Sequence, residues 1–217
     1  MVFYNKKYNE IKLFCKKYNN SAIKKNISII SVSKTRGLDD IKQALDFGLR
    51  NFGEIRVSEA NEKFAMLKET YNDIKLHMIG PIQTNKVKKA LKIFDFFHSL
   101  DRSSLADEFS KNSQEALNKY FFIQVNTGHE QQKSGIDPRH SSEFINYCKQ
   151  DLKLNVIGLM CLPPINEDPK PHFLMLKQIA IKNSLMNLSM GMSGDYKIAL
   201  SCGATHIRIG TSFFGAR

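Results

Sequence analysis

The sequence lacks the patterns that mark several common classes of protein. Its four cysteines are widely spaced and form no CxxC pair, which argues against a zinc site and a disulfide framework. The six histidines show no metal-ligand spacing. No window approaches the roughly 18 apolar residues of a membrane span, and the lysine-rich N-terminal segment lacks the apolar stretch of a signal peptide. We therefore expect a cytoplasmic protein without a metal or a membrane segment.

Charge is the strongest compositional bias, with a net charge of +11. Basic proteins often bind nucleic acid. However, the densest lysine clusters are not interleaved with aromatic residues, as a base-stacking platform would be; they are Lys16-Lys17, Lys24-Lys25 and Lys86/Lys88/Lys89. We therefore do not expect nucleic-acid binding to be the main role.

Short apolar runs alternate with amphipathic segments along the chain. The first run, Ile27–Val32, is rich in β-branched residues, as in a buried parallel strand, and seven further strands are predicted. Eight strand–helix units without a linker predict one domain over 1–217, folded as a (β/α)8 TIM barrel. An open doubly wound sheet is the alternative, but no GxGxxG follows the first strand, which weakens a dinucleotide-binding version.

Some predicted boundaries depend on proline and glycine. A helix is expected from about 103 to 117. Prolines at 163, 164, 169 and 171 predict a loop before a helix at Phe173–Asn183. The seventh strand is predicted at Leu185–Met190, and Gly191–Gly194 is predicted to be a turn that leads into a short helix.

A lysine stands just past the first predicted strand, where parallel barrels and sheets collect their chemistry. Lys34 follows Ser33 and precedes a helix. Partial desolvation at such a strand end lowers the pKa of an amine and favours imine formation. The alternative is a solvated lysine that caps the strand.

Two glycine-bearing motifs follow the last two predicted strands. In SMGMSGD (189–195), Gly191 permits close backbone approach and Ser193 offers a hydroxyl ahead of a helix. In RIGT (208–211), Gly210 offers an N–H and Thr211 a hydroxyl. Loops after strands seven and eight often bind phosphate in such barrels. Each motif alone could be an ordinary turn, but together with Lys34 they favour a phosphorylated carbonyl ligand.

Arg208 ends the last strand and needs an acceptor in an apolar barrel mouth. Because arginine only donates hydrogen bonds, a pyridoxal phosphate (PLP) ring nitrogen that met it would stay unprotonated and the ring would be a weak electron sink. The alternative is a structural salt bridge to Glu54 or Asp101.

Together these motifs resemble the pyridoxal phosphate homeostasis protein family, single-domain relatives of the alanine racemase N-terminal barrel. The matching segments run in family order over nearly the whole chain: SVSKTR (31–36), FGEIRVSEA (52–60), HMIGPIQTNK (77–86), HSLDR (98–102), IQVNTGHEQQKSGI (123–136), GLMCLPP (158–164), LSMGMSGDYKIAL (188–200) and GATHIRIGTSFFGAR (203–217).

The resemblance implies a PLP-bearing barrel with no catalytic turnover of its own, which buffers PLP and supplies it to PLP-requiring apo-enzymes. It implies a Schiff base on Lys34, and it implies that the other cofactor-binding residues are Gly191, Ser193, Gly210 and Thr211 near the phosphate, Arg208 at the pyridine nitrogen, and Asn51 and His77 beside the ring. One departure stands near the cofactor, because the family usually reads GEN where this chain has Gly53-Glu54-Ile55. A second, Leu76 for a usual tryptophan in a chain with no tryptophan, reads as packing.

Two enzymatic functions stay open from the residues. One is a PLP-dependent amino-acid racemase with weak activity. The related racemases take a second base, a tyrosine, from a C-terminal domain of a partner subunit, and we expect no such domain here. Its absence would also remove the usual dimer contact, so we expect a monomer. The other is a Schiff-base aldolase that uses the same lysine and phosphate site on a sugar phosphate.

Overall fold

The computed structural model describes residues 5–19, 27–130 and 132–215. Its strands form a closed parallel barrel in which each strand pairs with the next in sequence and the last pairs with the first. The barrel prediction is confirmed, and the open doubly wound sheet is excluded. The strands are β1 (Ser28–Val32), β2 (Asn51–Glu54), β3 (Lys75–Met78), β4 (Phe96–Leu100), β5 (Tyr120–Gln124), β6 (Val156–Met160), β7 (Asn187–Met192) and β8 (His206–Ile209).

Helices precede β1 and follow each strand. Their buried apolar side chains form one continuous core with the strands. Leucine, isoleucine and phenylalanine dominate this core, as expected where a parallel sheet is covered by helices. In the described ranges the α-helices are α1 (Asn5–Asn19), α2 (Leu38–Asp46), α3 (Val57–Thr70), α4 (Val87–Ile93), α5 (Ser103–Lys111), α6 (Ser113–Ala116), α7 (Ser141–Asn146), α8 (Pro169–Lys182), α9 (Tyr196–Ser201) and α10 (Thr211–Phe214).

The inside of the barrel is packed with rings. His77 stacks on Phe96 and His98 stacks on Phe122, each with ring centroids 4.4 Å apart. His206 meets Phe122 edge-on at 4.9 Å. These rings fill the middle of the barrel, as the packed side-chain layers of such barrels do.

Three predicted boundaries differ from the structure. The helix that begins at 103 is interrupted at Asn112, whose side chain donates to the carbonyl oxygen of Glu108 at 2.8 Å. The prolines at 169 and 171 lie inside α8, because Asp168 caps the backbone N–H of Lys170 and proline suits the first helical turn. Gly191 and Met192 belong to β7 and not to the following turn.

The described residues also bear on membrane spans, metal ligands and cysteine pairing. No helix among them is both long enough and apolar enough to span a membrane. Within the same ranges, no group of histidine, cysteine or acidic side chains could hold a metal ion. All four cysteines are buried free thiols.

Candidate cofactor site at the carboxyl end of the barrel

A cavity of about 1160 Å³ opens at the carboxyl ends of the strands. Five of the predicted site residues line it: Lys34, Ser193, Arg208, Gly210 and Thr211. Residues as far apart in the chain as Val32 and Thr211 meet here because parallel strands place all their carboxyl ends on one face. Within the described part of the chain, the lining contains no carboxylate, histidine, tyrosine or cysteine.

Lys34 occupies a tight turn directly after β1. The backbone N–H of Arg36 donates to the carbonyl oxygen of Ser33 at 3.1 Å, which closes the turn around Lys34 and Thr35. Thr35 has φ +62°, a left-handed conformation that is an outlier for a β-branched residue. The half-buried Lys34 amine makes no hydrogen bond or ion pair with any other described residue. No other described residue therefore competes with a ligand for this amine.

Helix α3 holds this turn through two charged side chains. Glu59 accepts the backbone N–H of Thr35 at 2.5 Å, and Lys63 donates to the carbonyl oxygen of Ser33 at 2.9 Å. The two side chains also pair with each other at 2.6 Å. Sequence reasoning missed both residues, whose only signal was the i,i+4 spacing common on helix surfaces.

Glu54 faces α3 and is fully buried. Its Oε1 accepts from the Ser33 hydroxyl at 2.7 Å and from Lys63 at 3.3 Å. Burial raises the pKa of this carboxyl group, and the hydrogen bonds from Ser33 and Lys63 oppose that rise. Glu54 therefore supports the Lys34 turn through Ser33 and Lys63, and it makes no hydrogen bond with Arg208.

Arg208 reaches the cavity from β8 with only 4% of its surface exposed. Its Nη1 donates to the carbonyl oxygen and the hydroxyl of Ser189, at 2.8 and 2.7 Å, and its Nη2 donates to the carbonyl oxygen of Cys161 at 3.0 Å. The salt bridge to Glu54 or Asp101 does not form, since Asp101 pairs with Arg102 at 2.6 Å. The Arg208 Nε–H has no acceptor among the described residues.

Arg208 is the first donor in a chain of hydrogen bonds that runs down the barrel interior. The Ser189 hydroxyl lies 2.8 Å from His98 Nδ1, and His98 Nε2 lies 3.0 Å from His77 Nδ1. His77 Nε2 lies 3.1 Å from Asn51 Oδ1. Because that oxygen only accepts, His77 donates from Nε2, His98 donates to His77, and Ser189 donates to His98. Burial holds the pKa of both imidazoles well below 6.5, so both rings are neutral.

The expected positions of Asn51 and His77 beside the ring differ from those in the structure. Asn51 is the first residue of β2 and so lies at the amino end of the barrel, away from the cavity. His77 points into the aromatic interior. Neither residue lines the cavity. Their connection to it passes through Arg208.

Ser193, Gly210 and Thr211 form one corner of the cavity. The Ser193 hydroxyl accepts the backbone N–H of Ser212 at 3.5 Å, which joins the loops after β7 and β8. Gly210 stands at the start of α10. Two hydroxyl groups and the N–H groups of two loops suit a phosphate.

Gly191 lies outside the cavity lining, and its position has a structural cause. It has φ +93°, and a Cβ there would lie 2.5 Å from the Ala199 side chain of α9. The residue must therefore be glycine so that α9 can pack on β7. Ile55, by contrast, lines the cavity, so the departure from the family pattern lies beside the ligand space.

Comparison with known proteins defines the class. The family model "Alanine racemase, N-terminal domain" matches residues 13–217. The alanine racemase of Corynebacterium glutamicum shares the fold, with a TM-score of 0.70 at 13% identity over 100% of this chain and 62% of that one. The chain is thus a barrel of the alanine racemase N-terminal domain family.

Relatives with higher sequence identity identify the family within this class. The chain is 37% identical to the pyridoxal phosphate homeostasis protein of Aquifex aeolicus, over 87% of this chain and 86% of that protein. Its identity to the Haemophilus influenzae protein of the same name is 33%, over 96% and 92%. PipY of Synechococcus elongatus, in a structure with PLP bound, superposes with a TM-score of 0.81 at 29% identity over 97% and 99%. This chain belongs to the pyridoxal phosphate homeostasis protein family.

Proposed function

We propose that this protein binds PLP and holds it as a Schiff base on Lys34. One observation carries the proposal: an amine without a partner, a buried arginine with an unused N–H, and a corner of hydroxyl and backbone donors line the same cavity. An aldehyde, a pyridine nitrogen and a phosphate are the three groups that PLP offers to them. The PLP-bound structure of PipY supports the cofactor.

Each group of residues has one task in this proposal. Lys34 is the attachment point. Ser193, Gly210 and Thr211 bind the phosphate. Arg208 donates to the ring nitrogen from a guanidinium fixed by Ser189 and the carbonyl oxygen of Cys161. Since an arginine cannot give the nitrogen a proton under ordinary conditions, the electron-withdrawing chemistry that PLP supplies is weak here.

The cavity lining supports a carrier and not an enzyme. Racemisation needs a general acid or base on each face of the substrate carbon, and a positioned group of this kind is worth roughly 10²–10⁴-fold in rate. Apart from Lys34, the titratable groups of the described lining are Lys86, Lys89 and three arginines, and none of its residues is a tyrosine, the second base of the related racemases. We therefore propose that the protein has no turnover of its own.

The physiological role follows from binding without turnover. We propose that the protein acts in the cytoplasm as a monomer, buffers free PLP and supplies it to PLP-requiring apo-enzymes. The shared name of the relatives, pyridoxal phosphate homeostasis protein, supports a role of this kind.

Absorbance spectroscopy tests the proposal. Addition of PLP to the wild type is expected to produce the Schiff-base band at about 420 nm. Lys34→Ala should remove it, whereas Lys89→Ala, which changes another lysine of the same cavity, should keep it. A band that survives Lys34→Ala would refute the assignment of the lysine, and no band in the wild type would refute PLP binding and favour the sugar-phosphate aldolase. Racemisation of an amino acid that is lost in Lys34→Ala would show the racemase instead.

A further inference from the structure

The two peptide groups that flank Lys34 are each held by a charged side chain of α3. The carbonyl oxygen of Ser33 belongs to the peptide before Lys34 and accepts from Lys63 at 2.9 Å. The N–H of Thr35 belongs to the peptide after it and donates to Glu59 at 2.5 Å. Both torsion angles of the Lys34 backbone are thereby constrained from outside the loop.

The turn needs such a constraint because of Thr35. A residue with φ +62° at the third position of a turn is ordinarily glycine or asparagine, since other side chains clash with the backbone there. A threonine persists in this conformation only where its surroundings impose it. In the described structure, the hydrogen bond to Glu59 is the contact that fixes the Thr35 N–H.

Glu59 is well suited to impose the turn. Its side chain is 18% exposed, and that of Lys63 is 11% exposed, so water screens their interaction only in part. Burial raises the pKa of Glu59, but the hydrogen bonds from Lys63 and Thr35 outweigh it and lower the pKa overall. The carboxylate is therefore charged at neutral pH, and a charged acceptor gives a stronger hydrogen bond than a neutral one.

We propose that Glu59 and Lys63 are positioning residues that clamp the strained turn and so aim the Lys34 amine into the cavity. The inference rests on the proposed function, because it makes PLP affinity depend on two side chains that do not line the PLP cavity. Without Glu59 and Lys63, the strained Thr35 backbone would relax, and the Lys34 amine would move out of position.

A rescue experiment tests the clamp. Glu59→Ala is expected to weaken PLP affinity roughly tenfold, measured from the Schiff-base band in a PLP titration. Thr35→Asn favours the left-handed conformation on its own, so Thr35→Asn/Glu59→Ala should bind within about threefold of the wild type. Glu59→Gln keeps an acceptor oxygen, so its PLP affinity should lie between those of Glu59→Ala and the wild type. Glu108→Ala removes a partly exposed carboxylate that pairs with Lys111 on α5 and should leave PLP affinity unchanged.

Two results would overturn the clamp: wild-type affinity in Glu59→Ala, or no recovery in the double variant. A separate readout does not depend on PLP. The Thr35 amide proton resonance in an ¹⁵N-correlated NMR spectrum should lie downfield in the wild type and move upfield in Glu59→Ala, because a short bond to a carboxylate is lost. An unmoved resonance would refute the clamp even where PLP binds. A wild type that binds no PLP while the resonance moves would refute the proposed function and leave the clamp standing.

Discussion

Acid should destabilise this barrel, because three buried imidazoles are neutral in the folded state. Burial depresses the pKa of His206 to about 4 and holds those of His77 and His98 well below 6.5. In the unfolded chain each ring binds a proton near pH 6.5. The stability gained from neutral burial is therefore complete above pH 6.5, and it is lost as the pH falls toward the folded-state values.

The magnitude follows from counting protons. Each imidazole lowers the free energy of unfolding by about 1.4 kcal/mol per pH unit, over the pH range in which the ring is protonated only in the unfolded chain. Glu54 acts in the opposite direction, since its raised pKa lets the folded state bind a proton first. The unfolded chain gains three imidazole protons, and the folded state gains at most one proton on Glu54, so the unfolded chain binds at least two more. The free energy of unfolding should therefore fall by roughly 3 kcal/mol from pH 6 to pH 5.

Urea unfolding followed by far-UV circular dichroism measures this dependence, since the chain has no tryptophan for fluorescence. His206→Gln should reduce the slope by about 1.4 kcal/mol per pH unit. His140→Gln, which changes a side chain that is 69% exposed, should leave the slope unchanged. A free energy of unfolding that stays level between pH 7 and pH 5, or the same slope in His206→Gln, would refute the neutral interior.

Two substitutions test other parts of the framework by urea unfolding. Ser189→Ala should cost about 2–4 kcal/mol, because it leaves an N–H of Arg208 and a buried imidazole nitrogen unpaired; a cost below 1 kcal/mol would show that the interior chain contributes little. Gly191→Ala should cost about 2–4 kcal/mol, from positive φ and the 2.5 Å approach to Ala199. Gly194→Ala, which meets nothing within 4 Å, should be nearly neutral, and equal costs at the two glycines would contradict the packing argument.

Local patterns were sufficient to predict the barrel and the residues at strand ends. Apolar runs and helical spacing are short-range signals, and parallel strands place all their carboxyl ends on one face whatever the loops do. That is why Lys34 and Arg208 could be assigned to one cavity before their side chains were seen. The prediction for α8 was wrong at its start because proline was taken as a helix breaker, although Asp168 makes the first turn compatible with it.

The supporting residues could not be predicted because their roles come from contacts distant in sequence. His77 stands beside a strand-end motif, yet its side chain points inward, and a shift of one residue along a strand reverses that direction. Glu59 and Lys63 look like an ordinary helix-surface pair until α3 is packed against the loop after β1. Arg208 could be matched to a carboxylate from composition alone, but its partners are a serine and a backbone carbonyl 47 residues away.

The covalent attachment site of PLP distinguishes Lys34 from every other lysine of the chain. The protein should be incubated with PLP, reduced with borohydride, digested and analysed by mass spectrometry. We expect one reduced adduct per chain on the peptide that contains Lys34, and none in Lys34→Ala. An adduct on Lys86 or Lys89, which line the same cavity, or spread over surface lysines, would contradict this expectation.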